Sequence, residues 1–233
     1  MTSSIEVPAD RLSYGPNGTD PATVTIAGVV LDDRGKTVAS FGTGLKVAPP
    51  KPDQATASKS NVIYNYPTTL KPGIYQVRSA GRDDRSGAIG SAFEWIVVPD
   101  LTSREPTLSS IFIGLDEVIG KASQSDRVQW SVDKTFSADS RLNFLAFVYN
   151  SVRGISKTPD LVAKASLSRD GREVKSISRV TVVSSPDADP ARVPISGSVD
   201  LRGLTPGRYV LSVTVDDRAG HKSVSRAETI FIK

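Results

Sequence analysis

Apolar side chains recur along this chain with a period of two. Val24, Ile26, Gly28 and Val30 alternate with Thr25, Ala27 and Val29. Tyr209, Leu211, Val213 and Val215 alternate with Val210, Ser212, Thr214 and Asp216. Phe93, Trp95 and Val97 alternate with Glu94, Ile96 and Val98. A period of two places successive side chains on opposite faces of a strand, whereas no stretch of ten or more residues carries the 3.6 period of an amphipathic helix. The run Leu142 to Tyr149 is apolar on both parities, as expected of a central strand covered on both faces. Leu115 to Ala122 is expected to form a turn of helix at most.

Turn signals separate these runs at strand spacing. Asp32-Asp33-Arg34-Gly35, Asp83-Asp84-Arg85-Ser86-Gly87, Asp170-Gly171 and Asp216-Asp217-Arg218-Ala219-Gly220 each fall between two strand-like segments. Gly supplies the left-handed residue of such turns, and Asp bonds nearby amides. One hairpin occurs twice. Leu70-Lys71-Pro72-Gly73-Ile74-Tyr75 matches Leu204-Thr205-Pro206-Gly207-Arg208-Tyr209, and a strand, a DDR-x-G turn and a final strand follow each. The repeat predicts an all-β chain of two tandem immunoglobulin- or fibronectin-like β-sandwich domains, residues 1–99 and 106–233, joined by a short linker over 100–105. Six or seven strands are expected in the first and seven or eight in the second. Pro99 and Pro106 stiffen the linker, so a semi-rigid rod with Leu101 buried at the junction is expected. Ala48 to Ser60, with Pro49, Pro50 and Pro52, reads as a long exposed loop.

Composition narrows the function classes. The net charge is +4, all of it from the second half: residues 1–102 carry ten basic and ten acidic side chains. The basic residues are scattered singly, without the clustered stripe that phosphate tracking requires, so no nucleic-acid partner is expected. There is no cysteine, hence no disulfide or thiolate metal site. No apolar run approaches the length of a membrane helix. Met1 to Asp10 lacks the basic and apolar regions of a signal peptide.

Candidate chemistry is sparse. Leu-x-Pro-Gly-x-Tyr before a strand resembles the tyrosine corner of β-sandwiches, so Tyr75 and Tyr209 are expected to be buried, each hydroxyl bonded to backbone. Paired aspartates at turns, with Asp187-Ala188-Asp189, invite calcium, but Arg34, Arg85 and Arg218 disfavour a cation, and turn structure is the preferred role. His221, the single histidine, sits beside a hairpin turn in an exposed context, unlike a triad member. Trp95 and Trp130 lie in alternating runs and are expected in the core. Tyr64 and Tyr66 are the candidate exposed aromatic contacts. No catalytic, cofactor-binding or metal residue is assigned, and no cofactor is expected.

Several stretches resemble the C-terminal region of a bacterial family of exported von Willebrand factor A-related proteins. They are Tyr64-x-Tyr66, Leu70 to Arg78, Arg82 to Gly87, Gly90-Ser91-Ala92, Pro99-Asp100-Leu101, Leu108-Ser109-Ser110, Val128-Gln129-x-Ser131-Val132, Arg141 to Asn150 and Leu204 to Gly220. The resemblance implies an exported context (periplasmic, cell-surface or extracellular) and an A-type domain upstream in the same polypeptide. The Asp-x-Ser-x-Ser metal-adhesion motif of that A domain is absent here. The expected function is a monomeric, non-catalytic spacer or protein-binding module. The alternative is a carbohydrate-binding or glycan-processing accessory module, which a coplanar exposed aromatic set on one sheet face would favour.

Overall fold

The computed structural model describes residues 1–49, 61–116, 128–155, 158–183, 189 and 191–233. Residues 50–60, 117–122 and Asp187-Ala188 therefore lie outside it, as do the structural expectations attached to them. Among the described residues the longest helices are single 3-10 turns of three residues, Ala9–Arg11, Pro16–Gly18 and Leu101–Ser103. The rest is strand and turn. The chain divides into two compact units, Met1–Asp100 and Leu101–Lys233.

Among its described residues the first unit holds six strands: β1 Thr2–Val7, β2 Ala22–Asp32, β3 Thr37–Val47, β4 Val62–Pro67, β5 Gly73–Asp83 and β6 Ile89–Val98. A four-stranded antiparallel sheet has the order β3-β2-β5-β6, and β1 pairs with β4 alone. Ala22, Val24 and Ile26 of β2 pack with Val47 and Ala9, and against Ile5, Val7, Val62 and Tyr64 of the small sheet. A second cluster joins Val30, Tyr75 and Val77 to Ala39, Leu70, Ile96 and Val98.

The second unit holds β7 Thr107–Leu108, β8 Phe112–Asp116, β9 Val128–Trp130, β10 Thr135–Phe136, β11 Arg141–Tyr149, β12 Leu161–Arg169, β13 Arg172–Ile177, β14 Val180–Val182, β15 Val193–Asp200, β16 Gly207–Asp217 and β17 Lys222–Ile232. The count exceeds the expected seven or eight because β7, β9, β10 and β14 span only two or three residues, too short to show a period. One sheet runs β10-β17-β16-β12-β13 and the other β14-β15-β11-β8-β9, with β7 on β11. Alternate residues of both sheets meet in one continuous core, which among the described residues includes Leu142, Phe144, Ile195, Leu211 and Ile230. This is the layering of a β-sandwich. The outward parity of β11 is half-buried rather than covered.

Each unit contains a sheet of the same arrangement. β3-β2-β5-β6 and β13-β12-β16-β17 have the same order and pairing. Val30 faces Val77 in the first, and Leu167 faces Leu211 in the second. The next position of the edge pairing is irregular in both, at Val30/Leu31 and at Leu167/Ser168. Tyr75 faces Ile96 and Tyr209 faces Ile230, a constant offset that carries β6 onto β17.

Residues 101–105, expected in the linker, group with the second unit: Asn150 Nδ2 donates to the Leu101 carbonyl at 2.8 Å, and Glu105 pairs with Lys222. Leu101 is 41% exposed, so the burial expected of it is not found. Its side chain extends from a 3-10 turn whose backbone, not its leucine, makes the contact.

Candidate functional site

The repeated hairpin is anchored at both ends. Tyr75 is buried and its hydroxyl donates to the Lys71 carbonyl at 2.9 Å; Tyr209 is buried and donates to the Thr205 carbonyl at 2.8 Å. Gly73 and Gly207, φ +156° and +149°, turn the chain into each strand. The Arg169 guanidinium also lies 5.5 Å from the Tyr209 ring centroid.

At the far end each strand closes on a buried carboxylate. Asp83 Oδ1 accepts the Arg85 amide at 2.9 Å, and Oδ2 accepts the amide of Ser13, seventy positions away, at 2.7 Å. Asp217 Oδ1 accepts the Gly220 amide and Oδ2 the amide of distant Val152, both at 2.9 Å. Each carboxylate thus ties its own turn to a remote loop. Burial pushes the Asp83 carboxyl up, but the Arg85, Ser13 and Ser86 hydrogen bonds outweigh it and hold the group well below the usual carboxylate range.

This equivalence corrects the sequence alignment by one residue. The DDR-x-G likeness matches Asp83 to Asp216 and Gly87 to Gly220. In the fold, eight residues separate tyrosine from carboxylate in both units, so Asp83 corresponds to Asp217 and Gly87 to His221. Gly87 has φ +74° and His221 φ +53°; the histidine, exposed, occupies the left-handed position expected of Gly220.

These two like sheets have very different outer faces. Tyr75, Val77, Ile96 and Val98 take the inward parity of β5 and β6, which directs Ile74, Ile89, Phe93, Trp95 and Val97 outward. The four β6 side chains are 55–72% exposed. Gln76, opposite Trp95 and also opposite Leu31, is nonetheless buried on that face, and it accepts the Arg78 Nε hydrogen bond. At the corresponding positions of the second unit stand Arg208, Ser223, Ala227, Thr229 and Phe231. Trp95, expected in the core, therefore projects to solvent. The run 95–98 is apolar on both parities, and only the partner strand decides which face is buried.

The edges differ as well. β6 ends its sheet, with one charged residue, Glu94, and unbroken register to β5. β17 carries Lys222, Arg226 and Glu228. It is also flanked by β10: the amides of Phe231 and Lys233 donate to the carbonyls of Lys134 and Phe136 at 2.9 and 3.0 Å, and Lys134 pairs with Glu228 at 2.7 Å.

Tyr64 and Tyr66 do not form an exposed pair. Both are half-buried. A Cβ at Gly28 would fall 2.2 Å from Phe41 Cζ, so the Phe41 ring lies over the glycine. Tyr66 stacks on that ring at 4.4 Å and Tyr64 tilts against it at 6.1 Å. Trp130, also expected in the core, is 36% exposed and meets Phe112 edge-on, with Phe147 beyond. Interplanar angles of 63° and 79° give these rings no common plane. Arg192 lies 4.1 Å above Phe147. A shallow hollow of about 450 Å³ beside Trp130 is lined by Asn143, Arg179, Thr181, Ser196 and Ser198.

Of the other turn aspartates, Asp84 accepts the Thr25 hydroxyl, and two more bond backbone. Asp32 Oδ1 accepts the amides of Arg34 and Lys36, and Asp189 Oδ1 that of Ala191. Among the described residues no three His, Cys, Asp or Glu side chains converge as a metal site would require, and no helix is long and apolar enough to cross a membrane. No protein-family model and no curated protein matches the chain. The outer face and free edge of β6 are the surface with the least explanation in the fold itself. Sequence reasoning misses these residues because the alternation of Phe93, Trp95 and Val97 reads as a core-facing set; aligning β6 on β17, whose outward residues are mostly small or polar, is the signal that exposes them.

Proposed function

We propose that this chain is a non-catalytic pair of immunoglobulin- or fibronectin-like β-sandwich domains that binds protein through β6 of the first, within an exported bacterial protein of the von Willebrand factor A-related kind. One observation carries the binding assignment. Ile89, Phe93, Trp95 and Val97 form an exposed apolar row on an edge strand, although the same strand of the sister unit is polar and flanked. Natural edge strands are blunted by charge, proline or cover; one left open and apolar offers main-chain hydrogen bonds and side-chain contacts to an added strand. The A-type domain upstream, the exported location and the spacer role rest on the family resemblance. A non-catalytic role fits carboxylates committed to backbone amides.

The test is a displayed library of extended peptides selected on the immobilised chain, with Trp95→Thr as counter-selection. Peptides enriched on wild type and lost on the variant are expected; no enrichment, or equal enrichment on both, contradicts the assignment.

The hollow beside Trp130 favours a second function, carbohydrate binding, because an aromatic wall with hydroxyl and amide groups suits a sugar. Glycan-array signals abolished by Trp130→Ala would support it.

A further inference from the structure

The outer face and edge of β6 have a chemistry that selects its own partner, and the choice of partner rests on β6 being a docking site. The Asp83 amide donates to the Ala88 carbonyl. Antiparallel pairs alternate between hydrogen-bonded and non-hydrogen-bonded, so along the register Arg82↔Ile89 to Gly73↔Val98 the even-numbered residues of β6 bond to β5. Ile89, Ser91, Phe93, Trp95 and Val97 direct their backbone N–H and C=O groups to the free edge. The same odd-numbered residues include the whole exposed apolar row.

We propose that the partner is a second copy of this chain, with β6 pairing antiparallel to β6 about a two-fold axis so that two four-stranded sheets become one of eight strands. Only odd residues carry free backbone groups, so odd must oppose odd. That constraint also keeps both apolar rows on one face, which a slip of one residue would not. Two registers pair nine residues of each strand. One sets Gly90–Val98 against itself and places Glu94 opposite its twin, a like-charge pair that destabilises. The other sets Ile89–Val97 against itself: Phe93 opposes Phe93, Ser91 opposes Trp95, Ile89 opposes Val97, and Glu94 faces Ala92. The second register is selected. Arg78 stands opposite Phe93 one strand in, so it sits three strand spacings from its twin, about 14 Å. That exceeds the screening length of about 8–10 Å in physiological salt. A partner at this edge needs an alternating apolar strand of low charge with free backbone groups, and β6 is such a strand. This assembly replaces the single-chain state expected from sequence.

The absence of cysteine makes the register directly readable. The test combines sedimentation equilibrium from nanomolar to high micromolar concentration with single-cysteine variants under mild oxidation. Opposed Cα atoms of a hydrogen-bonded pair lie about 5.5 Å apart, within disulfide reach. Phe93→Cys should link to its twin. Ile89→Cys and Val97→Cys should each stay unlinked alone and link when mixed. Wild type should dimerise with concentration, and Trp95→Lys, at an exposed site that leaves the fold intact by circular dichroism, should stay monomeric. A Glu94→Cys variant that links to itself in place of Phe93→Cys overturns the register. A wild type monomeric throughout, with no Phe93→Cys link, overturns the second copy as partner. If Trp95-dependent peptides are still enriched in that case, docking on β6 stands and only the partner is wrong; if none are, both fail.

Discussion

β6 and β17 are the same strand in two settings. Both follow a tyrosine-anchored strand closed by a buried carboxylate, and both place an isoleucine, Ile96 or Ile230, opposite the tyrosine. Their inward faces are alike because each must cover a core. Their outward faces are free to diverge, and they have: Phe93 and Trp95 stand where the sister strand has Ala227 and Thr229. Fold requirements cannot account for that difference, since the polar version closes its sheet as well. The contrast isolates what the fold needs from what the first unit carries in addition.

Seven substitutions at four structural features test where the units are alike and where they differ. The largest effect is expected at the carboxylates. Asp83→Asn and Asp217→Asn each weaken charge-assisted bonds to a turn amide and a remote amide, so each should cost about 1.5–3 kcal/mol in denaturant melts. A loss at one site alone would break the equivalence. The Asp83 carboxyl is depressed in the fold, so its contribution is complete above the unfolded value of about 3.9 and fades as pH falls below it toward the folded value. Asp83→Asn should therefore show its full deficit at neutral pH and narrow toward wild type in acid.

Next come the tyrosines. Tyr75→Phe and Tyr209→Phe should cost about 0.5–1.5 kcal/mol each, the second more because Arg169 also reaches its hydroxyl. Melts unchanged by Tyr209→Phe would remove that anchor from the account. At the left-handed turn position, His221→Gly should raise stability by at most about 1 kcal/mol by relieving a non-glycine residue at positive φ, and Gly87→His should lower it correspondingly. The smallest effect is expected on the outer face: Trp95→Thr, which copies the sister strand, should change stability by less than about 0.5 kcal/mol while abolishing binding. A large loss of stability there would make Trp95 a structural residue and collapse the contrast.

The inward faces were legible in the sequence. In β16 the outward parity is polar apart from Val210, and in β2 Thr23 and Thr25 mark the outward face, so Val24, Ile26 and Val30, like Leu211, Val213 and Val215, could be placed without a partner strand. Asp170-Gly171 could be read as a tight hairpin, and both residues have positive φ, +50° and +77°. Where both parities are apolar the sequence is silent, and Trp95 fell on the wrong face for that reason. The carboxylate anchors were hidden differently: the DDR likeness is out of step with the fold by one residue, and only a remote amide, Ser13 or Val152, marks which aspartate is buried. Tyr64 and Tyr66 were misplaced because their cover, Phe41 over Gly28, comes from strands distant in sequence.

Residue-resolved amide hydrogen exchange along β6 in dilute solution tests the central claim, that this edge is open. The amides of Ser91, Phe93, Trp95 and Val97 should exchange rapidly while those of Ala92, Glu94 and Ile96 are protected by β5, and in β17 the Phe231 amide should be protected as well. Uniform protection of β6 at the lowest concentration would mean that its edge is already covered within the chain, and would contradict the account.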